Sequence, residues 1–217
     1  MYGYDNKELL EFINEKIGDY SVSDIMWGNM DYLGQGISRT VFYYREYPDI
    51  VFKIGIGEDG VDEDTFYNEL GNYELAIEEG FAEFFAPLEP IGTICLSDER
   101  DYDCYDCDNE RDTEEYFSDF TIYIQPRIDC LLVDMYEDFQ KGSFSRESSV
   151  VQALDDMDDY CRPANSDDAS GYFLRKYGVE TYRAFGAFVR NRLCLDDLHN
   201  QNWAMKDGDM ILIDYAM

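Results

Sequence analysis

Positive charge is the scarcest property of this chain. Its 217 residues include 17 Lys and Arg against 48 Asp and Glu, a formal net charge of −31. A field of that sign repels nucleic acid, anionic membrane and free nucleotide at long range. Direct nucleic-acid binding is therefore excluded, and a nucleotide such as ATP would need magnesium and a local positive cradle. Histidine is reduced to one residue, His199. The zinc-like spacing Cys104-Tyr105-Asp106-Cys107 accordingly lacks the second pair of ligands that a structural site needs. The six cysteines, Cys95, Cys104, Cys107, Cys130, Cys161 and Cys194, are scattered. No signal peptide or long apolar run precedes them, so a reducing, cytoplasmic setting with no membrane span is expected. There is no internal repeat.

Apolar and aromatic residues, by contrast, are plentiful. Hydrophobic residues make up 45% of the chain, with 14 Phe and 19 Tyr, whereas disordered acidic chains are poor in aromatics. A chain of this length buries a sizeable core, as one domain or as two tightly joined lobes. The expectation is a folded protein with a solvated acidic skin.

Periodicity places the elements. Leu9, Leu10, Phe12, Ile13 and Ile17 predict an amphipathic helix over Asn6 to Ile17, ending near Gly18. Asp31 to Tyr44 reads as strand, glycine-rich turn and strand, the turn being Gly34-Gln35-Gly36-Ile37-Ser38. After the turn signal Pro48-Asp49, Ile50 to Ile54 is a third strand in which Lys53 interrupts an apolar run and demands a partner. Asp62 to Glu79 reads as a helix with Phe66, Leu70, Tyr73, Leu75 and Ile77 as candidates for its buried face. Glu69 on that helix is the expected partner of Lys53, with Glu74 as the alternative.

Two further strands follow, Ile91 to Leu96 and Phe120 to Ile124. Between them, Asp98 to Asp119 carries eleven acidic residues against Arg100 and Arg111. This is the pattern of a solvated loop, with a docking arm for a basic partner as the functional alternative. Gln125-Pro126-Arg127 is a candidate hinge. Ile128 to Phe139 reads as irregular or helical, Lys141 to Ser149 as a linker, Val150 to Tyr160 as a short helix and Arg162 to Gly171 as a polar loop. Tyr172 to Leu195 is the longest helix expected in this half, with Gly178 as a break. Its candidate core positions are Leu174, Tyr177, Tyr182, Phe185, Phe188, Val189 and Leu193.

The last stretch carries the chemistry. Asp197 is followed five residues later by Asn202, then by a hairpin around Asp207-Gly208-Asp209, and Asp214 ends the apolar run Met210 to Ile213. Hard oxygen donors of this kind suit magnesium, which is held by a few carboxylates together with substrate phosphates. The spacing D-x-x-x-x-N is the catalytic-loop pattern of kinases. The chain thus presents, in the order kinases use, a glycine-rich turn, a strand lysine, a helical glutamate, Asp197 with Asn202, and Asp214. Over about Tyr32 to Tyr215 it resembles the protein kinase-like superfamily. Within it, Val51-Phe52-Lys53-Ile54 and the ending Asp-x-His-x-x-Asn are most similar to small kinase-like proteins of bacteria and their phages, such as the early serine/threonine kinases of T7-type phages.

The resemblance implies an α+β, two-lobed protein kinase-like fold. Residues 1–125 would form an N-lobe built on a five-stranded antiparallel sheet, carrying the N-terminal helix, the Lys53 strand, the Glu69 helix and the acidic loop 98–119. Residues 126–217 would form a minimal, truncated helical C-lobe. It also implies an ATP- and magnesium-dependent phosphotransferase, of phage or bacterial origin, acting on Ser or Thr hydroxyls of a protein, itself included. Gly34, Gln35, Gly36, Ile37 and Ser38 would approach the phosphates, Lys53 would neutralise them, and Glu69 would hold Lys53. The hinge residues Gln125 and Arg127 would face the adenine, Asn202 and Asp214 would hold magnesium, and Asp197 would orient or deprotonate the acceptor hydroxyl.

Departures from the family pattern open alternatives. Arg39 replaces the third glycine of the turn, and Ala216 follows Asp214 where many kinases have glycine. His199 stands where most eukaryotic serine/threonine kinases carry lysine, as in small-molecule phosphotransferases. Asp196 precedes Asp197 in place of the arginine that reads activation-loop phosphorylation. With three residues after Asp214, neither an activation segment nor the later peptide-receiving helices are expected. The alternatives are a small-molecule phosphotransferase, a pseudokinase, and an acidic nucleic-acid mimic that occupies the basic site of a host protein.

Overall fold

In the computed structural model, residues 3–28, 31–35, 39–57, 60–61, 63–98, 116–128, 130–131, 169–193 and 202–215 are described. They form an α+β protein. Its chain divides into two compact units, Met1–Phe66 with Leu88–Arg127, and Tyr67–Pro87 with Ile128–Met217. The units are thus not contiguous in sequence.

In the first unit, local signals and tertiary packing agree. Helix α1 (Asn6–Ile17) spans the expected residues. Asp5 caps it, its carboxylate accepting the amides of Lys7 and Glu8 at 2.8 and 3.2 Å, which satisfies two of the donors a helix start leaves open. Leu9, Ile13 and Ile17 recur every four residues and are fully buried. A second helix, α2 (Val22–Met26), was not expected from periodicity, since five residues are too few to display it. Its signal is the capping box Ser21/Asp24, in which each side chain satisfies the other's backbone amide.

The sheet of this unit consists of β1 (Gly34–Gln35), β2 (Thr40–Phe42), β3 (Ile50–Ile54), β6 (Glu89–Asp98) and β7 (Tyr116–Pro126). The order is β1-β2-β3-β7-β6, antiparallel throughout, with β1 a two-residue edge. Strands β4 (Ile56–Gly57) and β5 (Gly60–Val61) pair separately. Every residue of β3 is buried. Phe42, Phe52, Ile54, Ile94, Phe120 and Ile122 pack with the α1 stripe in one core. The long β6–β7 ladder also corrects the boundaries of the acidic loop. Asp98 closes β6 opposite Tyr116, and Asp119 lies within β7 opposite Cys95. Both ends of the segment read as loop are therefore ladder, and residues 99–115 lie outside the described residues.

The second unit contains most of α3 (Glu63–Glu78), a 3-10 turn at Ala82–Phe84, α4 (Ala169–Tyr177), α5 (Val179–Phe188) with a π-helical turn Val189–Leu193, and a small antiparallel sheet. That sheet joins β8 (Cys130–Leu131), β9 (Trp203–Lys206) and β10 (Asp209–Leu212) in the order β10-β9-β8. Strand β8 falls where irregular or helical structure was expected. The expected helix Val150 to Tyr160 lies outside the described residues.

The expected helix Tyr172 to Leu195 starts at Ala169 and is broken at Gly178, whose φ of 85° and ψ of 165° no helix accommodates. Phe173, Tyr182, Phe185, Phe188, Val189 and Leu193 join Phe84, Phe85 and Trp203 in an aromatic core. Phe173 stacks on Phe185 at 5.2 Å, and Phe81 on Phe188 at 4.8 Å. On α3, Ile77 is 54% exposed, contrary to expectation, because the buried stripe runs through Glu69, Asn72, Tyr73 and Ala76. Among the described residues, no helix is long and apolar enough to cross a membrane.

Candidate active site

The first unit holds the phosphate-side residues of the sequence reading. Gly34 and Gln35 pair with Val41 and Thr40. Gly36, Ile37 and Ser38 lie outside the described residues. Gly34 does not have a positive φ, and a Cβ added there meets no described atom within 4 Å. Neither backbone strain nor packing therefore requires glycine at 34, which leaves room for close approach by a ligand. Lys53 is 5% exposed, in register with Val41 on one side and Tyr123 on the other. It is engaged within the structure, as a buried ammonium must be.

Gln125 is buried opposite Val51. Arg127 donates its amide to the Asp49 carbonyl at 2.8 Å, and its guanidinium lies 4.0 Å from the Tyr43 ring centroid. The amide of Arg127 is thus committed to holding the end of β7 against the turn before β3.

In the second unit, the β9–β10 hairpin positions the two magnesium ligands of the sequence reading. Its turn residues Asp207 and Gly208 both have positive φ, 54° and 83°. That is the two-residue primed turn that Asp-Gly sequences favour because its twist matches that of the strands. The ladder runs from Asp209 opposite Lys206 to Leu212 opposite Trp203, and the Ile213 amide extends it by donating to the Asn202 carbonyl at 2.8 Å. Asn202 and Asp214 therefore stand together at the open end of one hairpin. A carboxamide and a carboxylate there offer the hard oxygen donors that magnesium takes.

Helix α4 clasps the opposite end. The Tyr172 hydroxyl donates to the Gly208 carbonyl at 3.0 Å, and the Lys176 ammonium donates to the same oxygen. Lys176 also pairs with Asp209 at 2.6 Å. The Tyr177 hydroxyl donates to Asp209 Oδ1 at 3.0 Å and accepts the Met210 amide at 2.9 Å. Hydrogen bonds from Lys176 and then Tyr177 hold the Asp209 carboxyl below its ordinary pKa, and the bond to Asp209 raises that of Lys176. Burial is the main cause that pushes the Tyr177 hydroxyl up. A cleft of about 210 Å³ lined by Phe84, Tyr177 and Asp207 lies at this turn end, away from Asn202 and Asp214.

Further contacts secure the open end. The Ala86 amide donates to the Leu212 carbonyl at 2.8 Å. The Tyr215 hydroxyl donates to the Ala86 carbonyl at 2.6 Å, with its ring edge-on to Phe85 at 5.1 Å. Asn72 Nδ2 donates to the Tyr215 carbonyl at 2.7 Å. Asn72 lies one helical turn after Glu69, and both are buried, whereas Glu74 is exposed. Neither Asn72 nor Tyr215 was singled out from sequence. The available signal was an asparagine three residues after Glu69 within a helix, where that residue type is unfavourable unless it makes a specific bond.

Asp197 and His199 lie outside the described residues. Among the described residues no group of three or more His, Cys, Asp or Glu side chains is placed to hold a metal. Trp203, next to Asn202, is 5% exposed, and its Nε1 meets no hydrogen-bond acceptor among the described residues. No protein-family model, curated protein or solved structure matches this chain.

Proposed function

We propose that this chain is an ATP- and magnesium-dependent phosphotransferase of the protein kinase-like type, with a two-lobed organisation, acting on Ser or Thr hydroxyls of proteins, its own included. The observation that carries the reading is the β9–β10 hairpin. It brings Asn202, bonded through its carbonyl to the Ile213 amide, and the following Asp214 to the same end, although eleven residues separate them in sequence. A burial pattern supports it: among the described residues of β3 and α3, the charged side chains that are buried are Lys53 and Glu69, respectively.

Magnesium nucleotide, when bound, supplies the phosphoryl group and neutralises the charge that develops as it transfers. The chain's own residues position it. Gly34 to Ser38 bring backbone amides to the phosphates, Lys53 balances their charge, and Gln125 and Arg127 belong to the segment facing the adenine. Glu69, and not the exposed Glu74, steadies the lysine ammonium. Asn202 and Asp214 hold the ion through oxygen, and Asp197 accepts or orients the acceptor hydroxyl proton. Little covalent work is asked of the protein, because phosphoryl transfer is mainly positioning and charge stabilisation.

Incubation of the chain with ATP, magnesium and a basic acceptor protein, followed by phosphoamino-acid analysis, tests this. Phosphoserine or phosphothreonine supports the proposal. ADP release only with small alcohols as acceptors would reassign the chain to the small-molecule class, and nucleotide binding without turnover would make it a pseudokinase.

A further inference from the structure

We propose that Asn72 is a positioning residue for Asp214, a role that rests on the phosphotransferase reading above. Hydrogen bonds bracket Asp214 on both sides. Before it, the Leu212 carbonyl accepts from the Ala86 amide and the Ile213 amide donates to the Asn202 carbonyl, both at 2.8 Å. After it, the Tyr215 carbonyl accepts from Asn72 Nδ2 at 2.7 Å, and the Tyr215 hydroxyl donates to the Ala86 carbonyl at 2.6 Å. The first two bonds are main chain to main chain and form whatever side chains are present. The Asn72 bond depends on one carboxamide.

The geometry explains why that bond matters. The ladder holds the chain up to Ile213, and the course of the backbone from which the Asp214 side chain departs then depends on the torsions between there and the next anchored group, the Tyr215 carbonyl. Anchoring the Tyr215 carbonyl restricts those torsions. Asn72 makes this bond from a buried position, where water does not compete for the carbonyl. Asn72 also shares a face of α3 with Glu69, since residues three apart on a helix are neighbours. One helix face therefore presents the buried carboxylate and holds the residue next to the metal ligand.

The test uses the full-length chain with manganese as the paramagnetic reporter for magnesium and a non-hydrolysable ATP analogue. Bound metal is read from the loss of the free-ion resonance, and melting temperature is measured on the same samples. Asn72→Leu keeps the size but removes the donor. It is expected to weaken metal binding roughly tenfold or more, as for groups that orient metal ligands from behind. Tyr177→Phe removes hydrogen bonds at the turn end of the same hairpin and is expected to lower the melting temperature while leaving metal affinity unchanged. Equal affinity in wild type and Asn72→Leu overturns the positioning role and leaves the phosphotransferase reading standing. Equal weakening in Tyr177→Phe also overturns it, because the effect is then a general loosening of the hairpin. A wild-type chain that takes up no manganese with nucleotide overturns both readings. Should Asn72→Leu fail to fold, Asn72→Ala removes the same donor without adding apolar bulk, and unchanged affinity there overturns the proposal.

Discussion

Glu69 and Glu74 lie on one helix and meet opposite environments, the first fully buried and the second exposed. A carboxylate is retained in an apolar interior only where it is paired or hydrogen-bonded, and Glu69 is engaged within the structure. Glu69→Gln is expected to lower phosphotransfer roughly 100-fold, the scale of a small misplacement of reacting groups, while Glu74→Gln leaves the rate unchanged. Steady-state kinetics on both variants check this, and equal rates would remove Glu69 from the proposed machinery.

The Lys176–Asp209 pair makes a separate prediction about pH. Asp209 titrates below its ordinary 3.8 in the fold. Its stabilising contribution is therefore complete above that value and is lost as pH falls through the lower folded pKa. Lys176 titrates above its ordinary 10.5, so its contribution is complete below that value and is lost as pH rises through the higher folded pKa. Thermal melts should show Asp209→Asn less stable than wild type by a constant margin at neutral pH, with the gap closing on acidification below 3.8. A gap that persists in strong acid would contradict the assignment.

At the scale of elements, the second unit is organised by two turns. Gly178 separates α4 from α5 with a backbone conformation essentially restricted to glycine, at φ 85° and ψ 165°. A Cβ added there meets no described atom within 4 Å, so the requirement is one of torsion alone. Gly178→Ala is expected to destabilise the fold by about 1–3 kcal/mol, read from denaturant midpoints, and an unchanged midpoint would show that the break relaxes. The Asp207-Gly208 turn has the matching role in the hairpin, and α4 is fastened to it through Tyr172, Lys176 and Tyr177.

Elements are also where sequence reading worked best. Helix α1 and strand β3 have the bounds that their apolar patterns suggest, because each is long enough to display a period or lies wholly inside a core. Helix α2 and strand β8 are too short to show one. The α3 stripe was misread at Ile77 because its buried face includes Glu69 and Asn72, polar residues that a hydrophobic pattern passes over. The proposed magnesium ligands were legible from spacing and residue type. The restraints that place them were not, since the Asn72–Tyr215 bond spans 143 positions.

For the whole molecule the net charge is −31, and among the described residues two cations are buried. These are Arg39 and Lys53, the latter in register with Val41 of β2. Of the residues named in the proposed function, Gly34, Gln35, Lys53, Gln125 and Arg127 belong to the first unit, and Glu69, Asn202 and Asp214 to the second. The proposed phosphoryl transfer would draw on the complete set, so it tests the account more directly than any single contact. The decisive measurement is transfer of label from γ-labelled ATP in the presence of magnesium by wild type, Asp197→Ala and Asp214→Ala, each first shown to be folded. The account predicts label incorporation by wild type and a loss of several orders of magnitude in both variants. Equal incorporation by all three, or none by wild type with any acceptor offered, would contradict it.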